Sequence, residues 1–396
     1  MRVLVIGAAG RSGREISARL GRMRGIDHLY LADRDAEALC RIASDLVAVP
    51  ASPRYLDLED EGCLLERVSE ADLVVACAGP SHQYEERMAG AALAAGRDYI
   101  TLCDDPEAAA ALMRLRPEAE ARGVRMLCGM GLTPGISNLL ACRAAAWLED
   151  VRSVAIAWCL RLSSGLGPAT LAHLLRACGG DAPSWRAGRV GRERSGGWPR
   201  TAQFPPPLGW RQVYYLAHPE PLSLPEALPG LARVDFAAGF GETGLDLAML
   251  TLAWIYEGAG DSWTRREAVR IAASSLARRL KGGPLAAVMV RAEGMVNGAP
   301  SARILATAGD YYGLTAAMVV AAIENLLADE TRPGLFFPEQ ALDNPSFFSR
   351  LEGRGVRFLV GEERGRYLSE GEARRTRATS GWACLWKGKR GEAGNI

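Results

Sequence analysis

Gly7, Gly10 and Gly13 stand three residues apart in "GAAGRSG", and Asp33 follows 20 residues after the last of them. Glycines at such a spacing let a backbone turn tightly and approach a ligand, and an acid at that distance suits a ribose hydroxyl. The chemistry in view is the cradling of a dinucleotide pyrophosphate: Gly7 for the turn, Gly10 for approach to the phosphates, Gly13 for close packing of a helix. Arg11 and Ser12 complete the loop. The Asp33 carboxylate would repel a 2′-phosphate that Arg34 beside it could accept, so the set fits NAD or NADP. A plain glycine turn, with Asp33 as a helix N-cap, is the bland alternative.

Hydride transfer to or from such a cofactor needs an acid or base near the reacting atoms. Asp104, at a strand's carboxyl end in "RDYITLCDD", and His173, on the apolar stretch "PATLAHLLRAC", are the candidates for that work. A histidine satisfied within the core is the competing reading of His173. The four histidines, at 28, 82, 173 and 218, include no pair at metal-ligand spacing, so no metal is expected. His82 suits a surface loop as well as a cleft. Cys103 and Cys128 also end strands, where a thiol packs as a small apolar residue.

These residues need a particular scaffold. Val3 to Ile6 form a continuous apolar run ahead of the glycines, and Ile16, Leu20 and Met23 recur at helical spacing behind them. The pattern is a buried parallel strand handing over to a helix. "HLYLADRD", "RYLDLED", "ADLVVACAGP", "RDYITLCDD" and "VRMLCGMG" repeat the strand signal, with Ala-rich helical stretches before the last two. That alternation predicts an α/β fold with a doubly wound parallel sheet. Asp57, closing the third strand, is placed for the adenine amino group or for an exposed turn. Ala78 and Gly79 are small where a nicotinamide would pass.

Composition agrees with small-molecule chemistry. The chain has 396 residues, enough for two domains, and 47 basic against 46 acidic residues, which offers nothing to a nucleic acid. Its nine cysteines include no Cys-x-x-Cys pair and read as reduced thiols. With no apolar stretch of membrane-spanning length, a cytoplasmic protein without membrane partners is expected.

The segment "GMGLTPGISNLLA", residues 129 to 141, joins two glycines and a Thr-Pro-Gly corner to the first turn of a helix. The first N–H groups of that helix would attract a substrate carboxylate, with Gly131 and Gly135 giving it room and Thr133, Ser137 and Asn138 near it. Ser137 or Asn138 also suits a helix cap. Together "GAAGRSG", "ACAGP", "GRDYITLCDD" and "GMGLTPGISNLLA" resemble the saccharopine dehydrogenase superfamily of amino-acid imine reductases. "SSGLGPATLAHLL", "YYLAHPEPLSLPEALPG", "LTAAMVVAAIENLL" and "GLFFPEQALDNPSFFSRLEGRGV" extend the likeness, in order, over roughly residues 1 to 360. The compact length is more similar to the lysine 6-dehydrogenase and carboxynorspermidine dehydrogenase types. The resemblance implies an NAD(P)-dependent oxidoreductase acting on the C–N bond of an amino-acid-derived substrate. One departure stands out. Family members usually carry an acid two residues after the strand tyrosine, where this chain has Thr101 after Tyr99, leaving Asp104 or Asp105 to substitute. A non-catalytic nucleotide-binding scaffold and a carbonyl reductase are the rival readings.

Domain limits are expected at 1–132 for the dinucleotide-binding domain, to which the chain returns at about 313–360, and 133–312 for substrate binding and dimerisation. Residues 361–396 read as a peripheral tail. Within the second domain, "RSVAIAWCLRL", "RQVYYLAH" and "ARVDFAAGF" are strand-like, and Asn297-Gly298 marks a hairpin in an α+β domain whose antiparallel sheet offers a homodimer surface. Residues 179 to 211, rich in Gly, Pro and Arg, read as a long loop, a lid or a disordered excursion. Glu242 in "GFGETGLD" suits either a helix cap or the substrate cleft.

Overall fold

The computed structural model describes residues 1–369 except 162, 164–165, 198, 243, 261, 281–282 and 362–365, together with residue 372. The chain opens with β1 (Arg2–Ile6), α1 (Arg11–Leu20), β2 (His28–Asp33), α2 (Ala36–Asp45), β3 (Ala51–Tyr55), α3 (Glu61–Ser69) and β4 (Leu73–Ala76). It continues through α4 (Ser81–Ala94), β5 (Asp98–Thr101), α5 (Pro106–Met113), α6 (Arg116–Arg122), β6 (Arg125–Leu127) and α7 (Ile136–Ala145). The strands are buried on both faces, Val3, Leu4, Val5, Val74 and Val75 being wholly enclosed, as continuous apolar runs require in a parallel sheet covered by helices.

A second domain follows with β7 (Ser153–Leu160), α8 (Pro168–Gly179), β8 (Asp181–Arg186), β9 (Arg189–Arg194), β10 (Arg200–Phe204), β11 (Gly209–Tyr215), α9 (Glu220–Ala227) and β12 (Arg233–Phe240). It is completed by α10 (Leu245–Gly258), α11 (Trp263–Arg279), β13 (Leu285–Val296) and β14 (Ala299–Asp310). Then come α12 (Tyr311–Leu327), β15 (Gly334–Phe336), α13 (Pro338–Ala341), α14 (Pro345–Gly353), β16 (Leu359–Gly361) and β17 (Tyr367–Ser369).

The first sheet has seven strands in the order β15-β6-β5-β4-β1-β2-β3, all parallel. The order reverses between β1 and β4, and ligands of such sheets bind at the carboxyl ends around that switch point. The second sheet has ten strands, mostly antiparallel, with β12 and β7 parallel at its centre. Its longest pair, β13 and β14, turns at Asn297 and Gly298, both at positive φ (51° and 74°), as a two-residue hairpin demands. The helix α12, enclosed on almost every side, packs on α1 of the first domain and on β13 and β14 of the second, so it joins the two bodies across the cleft.

One region departs from expectation. Residues 179 to 211 form β8 to β11 rather than a long loop, with Ala187 and Gly188 at φ 49° and 81° closing a tight hairpin. Trp185 anchors it by donating Nε1–H to Leu231 O at 2.8 Å, and the Tyr215 hydroxyl and Arg200 meet the buried Asp235 carboxylate below it. Past α14, β16 pairs with β14, and β17, within the expected tail, adds to β16 with the Tyr367 hydroxyl donating to Gln203 O at 2.6 Å. β17 is the edge strand of that sheet; residues 370–371 and 373–396 lie outside those described. Among the described residues no helix is long and apolar enough to cross a membrane.

Candidate functional site

Between β1 and α1 the chain packs against itself as closely as backbone allows. Gly7 sits at φ +83°, and a Cβ there would lie 2.6 Å from Ala78 N; one at Gly13 would lie 2.2 Å from Gly7 O. Both positions exclude any side chain. Gly10 differs. It is extended (φ −69°), caps α1, and a Cβ there would meet only Gly7 O at 3.1 Å, so the space in front of it stays open to a ligand. Among the described residues the N–H groups of Arg11, Ser12 and Gly13 have no acceptor, and the first turn of α1 carries no acid. A helix start of this kind fits a pyrophosphate.

The groove in front of the loop is walled by Gly7, Gly10, Asp33, Arg34, Asp57 and Tyr84. Asp33 ends β2 and accepts hydrogen bonds from the Ala9 N–H at 3.1 Å and the Asp35 N–H at 3.3 Å, tying the glycine loop to the carboxyl end of β2. Asp57 lies beyond the end of β3 and accepts from Glu59 N–H at 3.1 Å. Arg11 projects over the Tyr312 ring, 5.2 Å from its centroid, on α12.

The groove continues past Ala78 and Gly79 into an inner cleft bounded by Ser12, Thr101, Asp104, Thr133, His173 and Tyr311. Here the two domains face each other. Asp104 Oδ1 accepts from the Ser81 hydroxyl at 3.3 Å and lies 3.3 Å from His173 Nδ1, a contact from the carboxyl end of β5 to α8. His173 is 7% exposed, and its Nε2 has no hydrogen-bond partner. Asp105, the neighbouring acid, is spent as the N-cap of α5, accepting from Glu107 and Ala108 N–H at 3.0 Å each, and it meets Arg176. His82 lies within α4, half-buried, where burial lowers its pKa.

A further acid enters the cleft unannounced. Glu85 of α4 is 1% exposed and lines the same space. The Tyr99 hydroxyl donates to its Oε1 at 2.7 Å, and the Thr101 hydroxyl bonds it too. Burial pushes its carboxyl up to about 7. The sequence does carry a signal for it: Glu85, Met88, Ala89 and Ala92 share one helix face, and the other three are apolar and buried.

Residues 3–127 match the family model of the saccharopine dehydrogenase NADP binding domain. Residues 3–127 are thus a dinucleotide-binding domain of the saccharopine dehydrogenase type. The domain binds NAD(P). Apo saccharopine dehydrogenase (L-Glu forming) from Saccharomyces cerevisiae superposes with a TM-score of 0.61 at 16% identity, over 91% of this chain and 100% of the yeast one, so the fold is shared across both domains. DAP dehydrogenase of C. glutamicum, solved with DAP, aligns over 90% of this chain and 99% of its own at 14% identity and a TM-score of 0.44.

Beyond the matched segment, the corner at residues 129–138 is closed on itself. Gly131 N–H donates to Pro134 O at 2.9 Å, Ile136 N–H to Gly131 O and Ser137 N–H to Leu132 O at 3.1 Å each, and Gly135 N–H to Asn138 Oδ1 at 2.9 Å. The helix start that was expected to draw a carboxylate has therefore spent these donors. Gly135 is glycine because φ is +133° and a Cβ would fall 2.0 Å from Gly131 O. Ser137 and Asn138, both fully buried, turn toward α9: the Ser137 hydroxyl donates to Glu220 Oε1 at 2.8 Å and Asn138 Nδ2 to Ser223 Oγ at 3.2 Å. Glu220 in turn pairs with His218. Glu242 accepts from Ser163 N–H at 2.9 Å, tying the end of β12 to the segment before α8. Of the five residues expected to hold substrate, the structure brings Thr133 to the inner cleft; Gly135, Ser137 and Asn138 are structural, and Glu242 serves the loop.

Proposed function

We propose that the protein is an NAD(P)-dependent oxidoreductase that transfers hydride between the nicotinamide and the carbon of a C–N bond in an amino-acid-derived substrate. The observation carrying this reading is the Asp104–His173 pair, which spans the domain cleft at the end of the same groove that starts at the phosphate loop. The loop and Asp33 would hold the cofactor, which supplies or accepts the hydride when bound. Asp104 accepts at Nδ1 of His173 and so favours the tautomer with a lone pair on Nε2, and together they hold or release one proton near the substrate nitrogen. The described walls of the inner cleft include two acidic side chains, Glu85 and Asp104, and no Lys or Arg, a lining that supports an amine or iminium rather than a carboxylate as the group seated there. Packing of α8 against the first domain excludes water from the hydrolysable C=N bond.

Association as a homodimer in the cytoplasm goes with this reading. Leu247, Trp254, Ile255 and Trp263, exposed on α10 and α11, support a second copy as the partner.

The test is cofactor oxidation by purified protein given amino-acid-derived carbonyl compounds with and without an amine. Turnover that requires both components is expected. Equal turnover of the carbonyl alone would make the protein a carbonyl reductase, and tight NAD(P)H binding with no turnover of any pair would make it a scaffold. Asp104→Asn should then lower kcat roughly 100-fold or more with the cofactor Kd unchanged, the effect of removing a proton-transfer group.

A further inference from the structure

The inner cleft contains an acid that the Asp104–His173 pair does not explain. Glu85 occupies a place on α4 where the helical period calls for an apolar side chain, and it is held there by two hydroxyls of β5, those of Tyr99 and Thr101, themselves 1% exposed. The titratable groups coupled to it are Cys77 at the end of β4, Tyr99, Cys103 and Asp104 from β5 and its continuation, and Cys128 beyond β6, while His173 of α8 and Tyr311 of α12 line the same cleft. No described cation compensates its charge. A purely structural polar residue at such a position would cap a helix or bridge strands, yet Glu85 lines the space that the substrate must enter.

We propose that Glu85 and Asp104 share one proton across the inner cleft, with Glu85 as the neutral acid at rest and as the store that recharges the Asp104–His173 pair during turnover. Two carboxyl groups in a common cleft cannot both ionise cheaply, and the more deeply buried one keeps the proton. Asp104, 28% exposed at its side chain and bonded by Ser81, is the more accessible partner. The resting carboxyl of Glu85 is raised to about 7 by burial and, further, by the charge of Asp104.

The inference rests on the C–N oxidoreductase reading. In the reductive direction hydride adds to the carbon, the π electron pair of C=N moves to nitrogen, and nitrogen takes the Nε2 proton of His173 in its doubly protonated form, leaving the lone pair on Nε2. Glu85 gives its proton to that pair and is left as a carboxylate, which regains a proton from water as the product leaves. Oxidation of the amine runs the same transfers backward. Tyr99 sets the tendency of the store, because a hydroxyl donated to Glu85 favours the carboxylate.

The experiment has a static and a kinetic arm, on wild type, E85Q and Y99F, all checked for thermal unfolding and NAD(P)H binding. In the static arm, difference infrared spectra of resting protein should show a carboxylic-acid carbonyl band that fades as pH rises through about 7, is absent from E85Q, and persists to higher pH in Y99F. In the kinetic arm, reductive kcat of wild type should fall over the same pH range; E85Q should lose that step and be about 100-fold slower below it, the low end for a proton-transfer group. In Y99F the step should move to higher pH, a shift that damage to packing alone does not produce. No acid band in wild type, or matching pH profiles for wild type and E85Q, would overturn the proposal; should E85Q fail to fold, a Y99F profile that coincides with wild type or moves to lower pH does so. A titrating band in a protein that turns over no carbonyl–amine pair would instead overturn the C–N reading and leave the Glu85 proton standing.

Discussion

The chain has two glycine-rich corners that each lead from a strand of the parallel sheet into a helix, and they differ in where the helix donors go. At residues 7–13 the N–H groups of Arg11, Ser12 and Gly13 are left open, and Gly10 faces a groove. At residues 129–138 the loop folds back and consumes the donors, with Gly135 pressed against Gly131. Both corners satisfy the same backbone rule, that the first N–H groups of a helix need acceptors. Only the first leaves that need to a ligand. Glycine count therefore does not mark a binding site; the fate of the helix donors does.

The strongest way to break this contrast is to put the same kind of change in both corners. Gly135→Val should unfold the protein or lower its stability by roughly 2 to 6 kcal/mol, the sum of backbone strain at positive φ and overlap in a packed turn. Melting temperature and activity should fall together, while any fraction that stays folded keeps its NAD(P) affinity. A normal melting temperature with selective loss of turnover would return this corner to the active site.

Gly10→Asp should act in the opposite sense. The backbone there is extended and a Cβ has a single close neighbour, so the fold accommodates it, and an aspartate in place of glycine at a helix N-cap adds roughly a few tenths of a kcal/mol of stability. The carboxylate would satisfy the donors that a pyrophosphate needs and add charge where the phosphates lie. NAD(P) affinity should drop by at least about 100-fold, the equivalent of about 2.7 kcal/mol, in a protein that melts no lower than wild type. Calorimetric titration and thermal unfolding of the same preparation check both halves. Retained affinity would remove the loop from the cofactor site.

Much of the first domain was legible because its signals are local: an apolar run, glycines at fixed spacing, then helical periodicity, each constrained by the few residues around it. The corner at Gly135 was misread for a physical reason. A glycine that admits a ligand and a glycine that admits its own chain look the same until the carbonyl of Gly131 is in place. The β8–β11 hairpins were hidden by their Arg, Gly and Pro content, although Ala187-Gly188 between two short alternating runs has a hairpin's form. Glu85 was passed over because a charged residue in a helix is ordinarily solvent-facing. Its burial is set by Tyr99 and Thr101, which come from the next strand and are invisible to a local reading. Asp104 and His173 were separately visible, but their 3.3 Å contact depends on the second domain closing over the first.

The smallest effect sharpens the comparison at the open corner itself. Asp33 accepts from Ala9 N–H and so braces the glycine loop, and the proposed ribose contact would be a second, separable role. Asp33→Ala removes the brace, which for a charge-assisted hydrogen bond at a half-exposed position is about 1.5 kcal/mol, so both nicotinamide nucleotides should bind roughly tenfold more weakly through loosening of the loop. The second role acts on the ratio. Without the carboxylate the repulsion of a 2′-phosphate is gone and Arg34 remains to receive it, so the NADP loss should be smaller than the NAD loss and the preference should move toward NADP. Measuring both dissociation constants separates the two: a common decrease reports the brace, and a change in their ratio reports the ribose contact. If both fall by one factor, Asp33 holds the loop alone, and cofactor choice must be sought in Arg34, Asp57 and Tyr84 on the same wall.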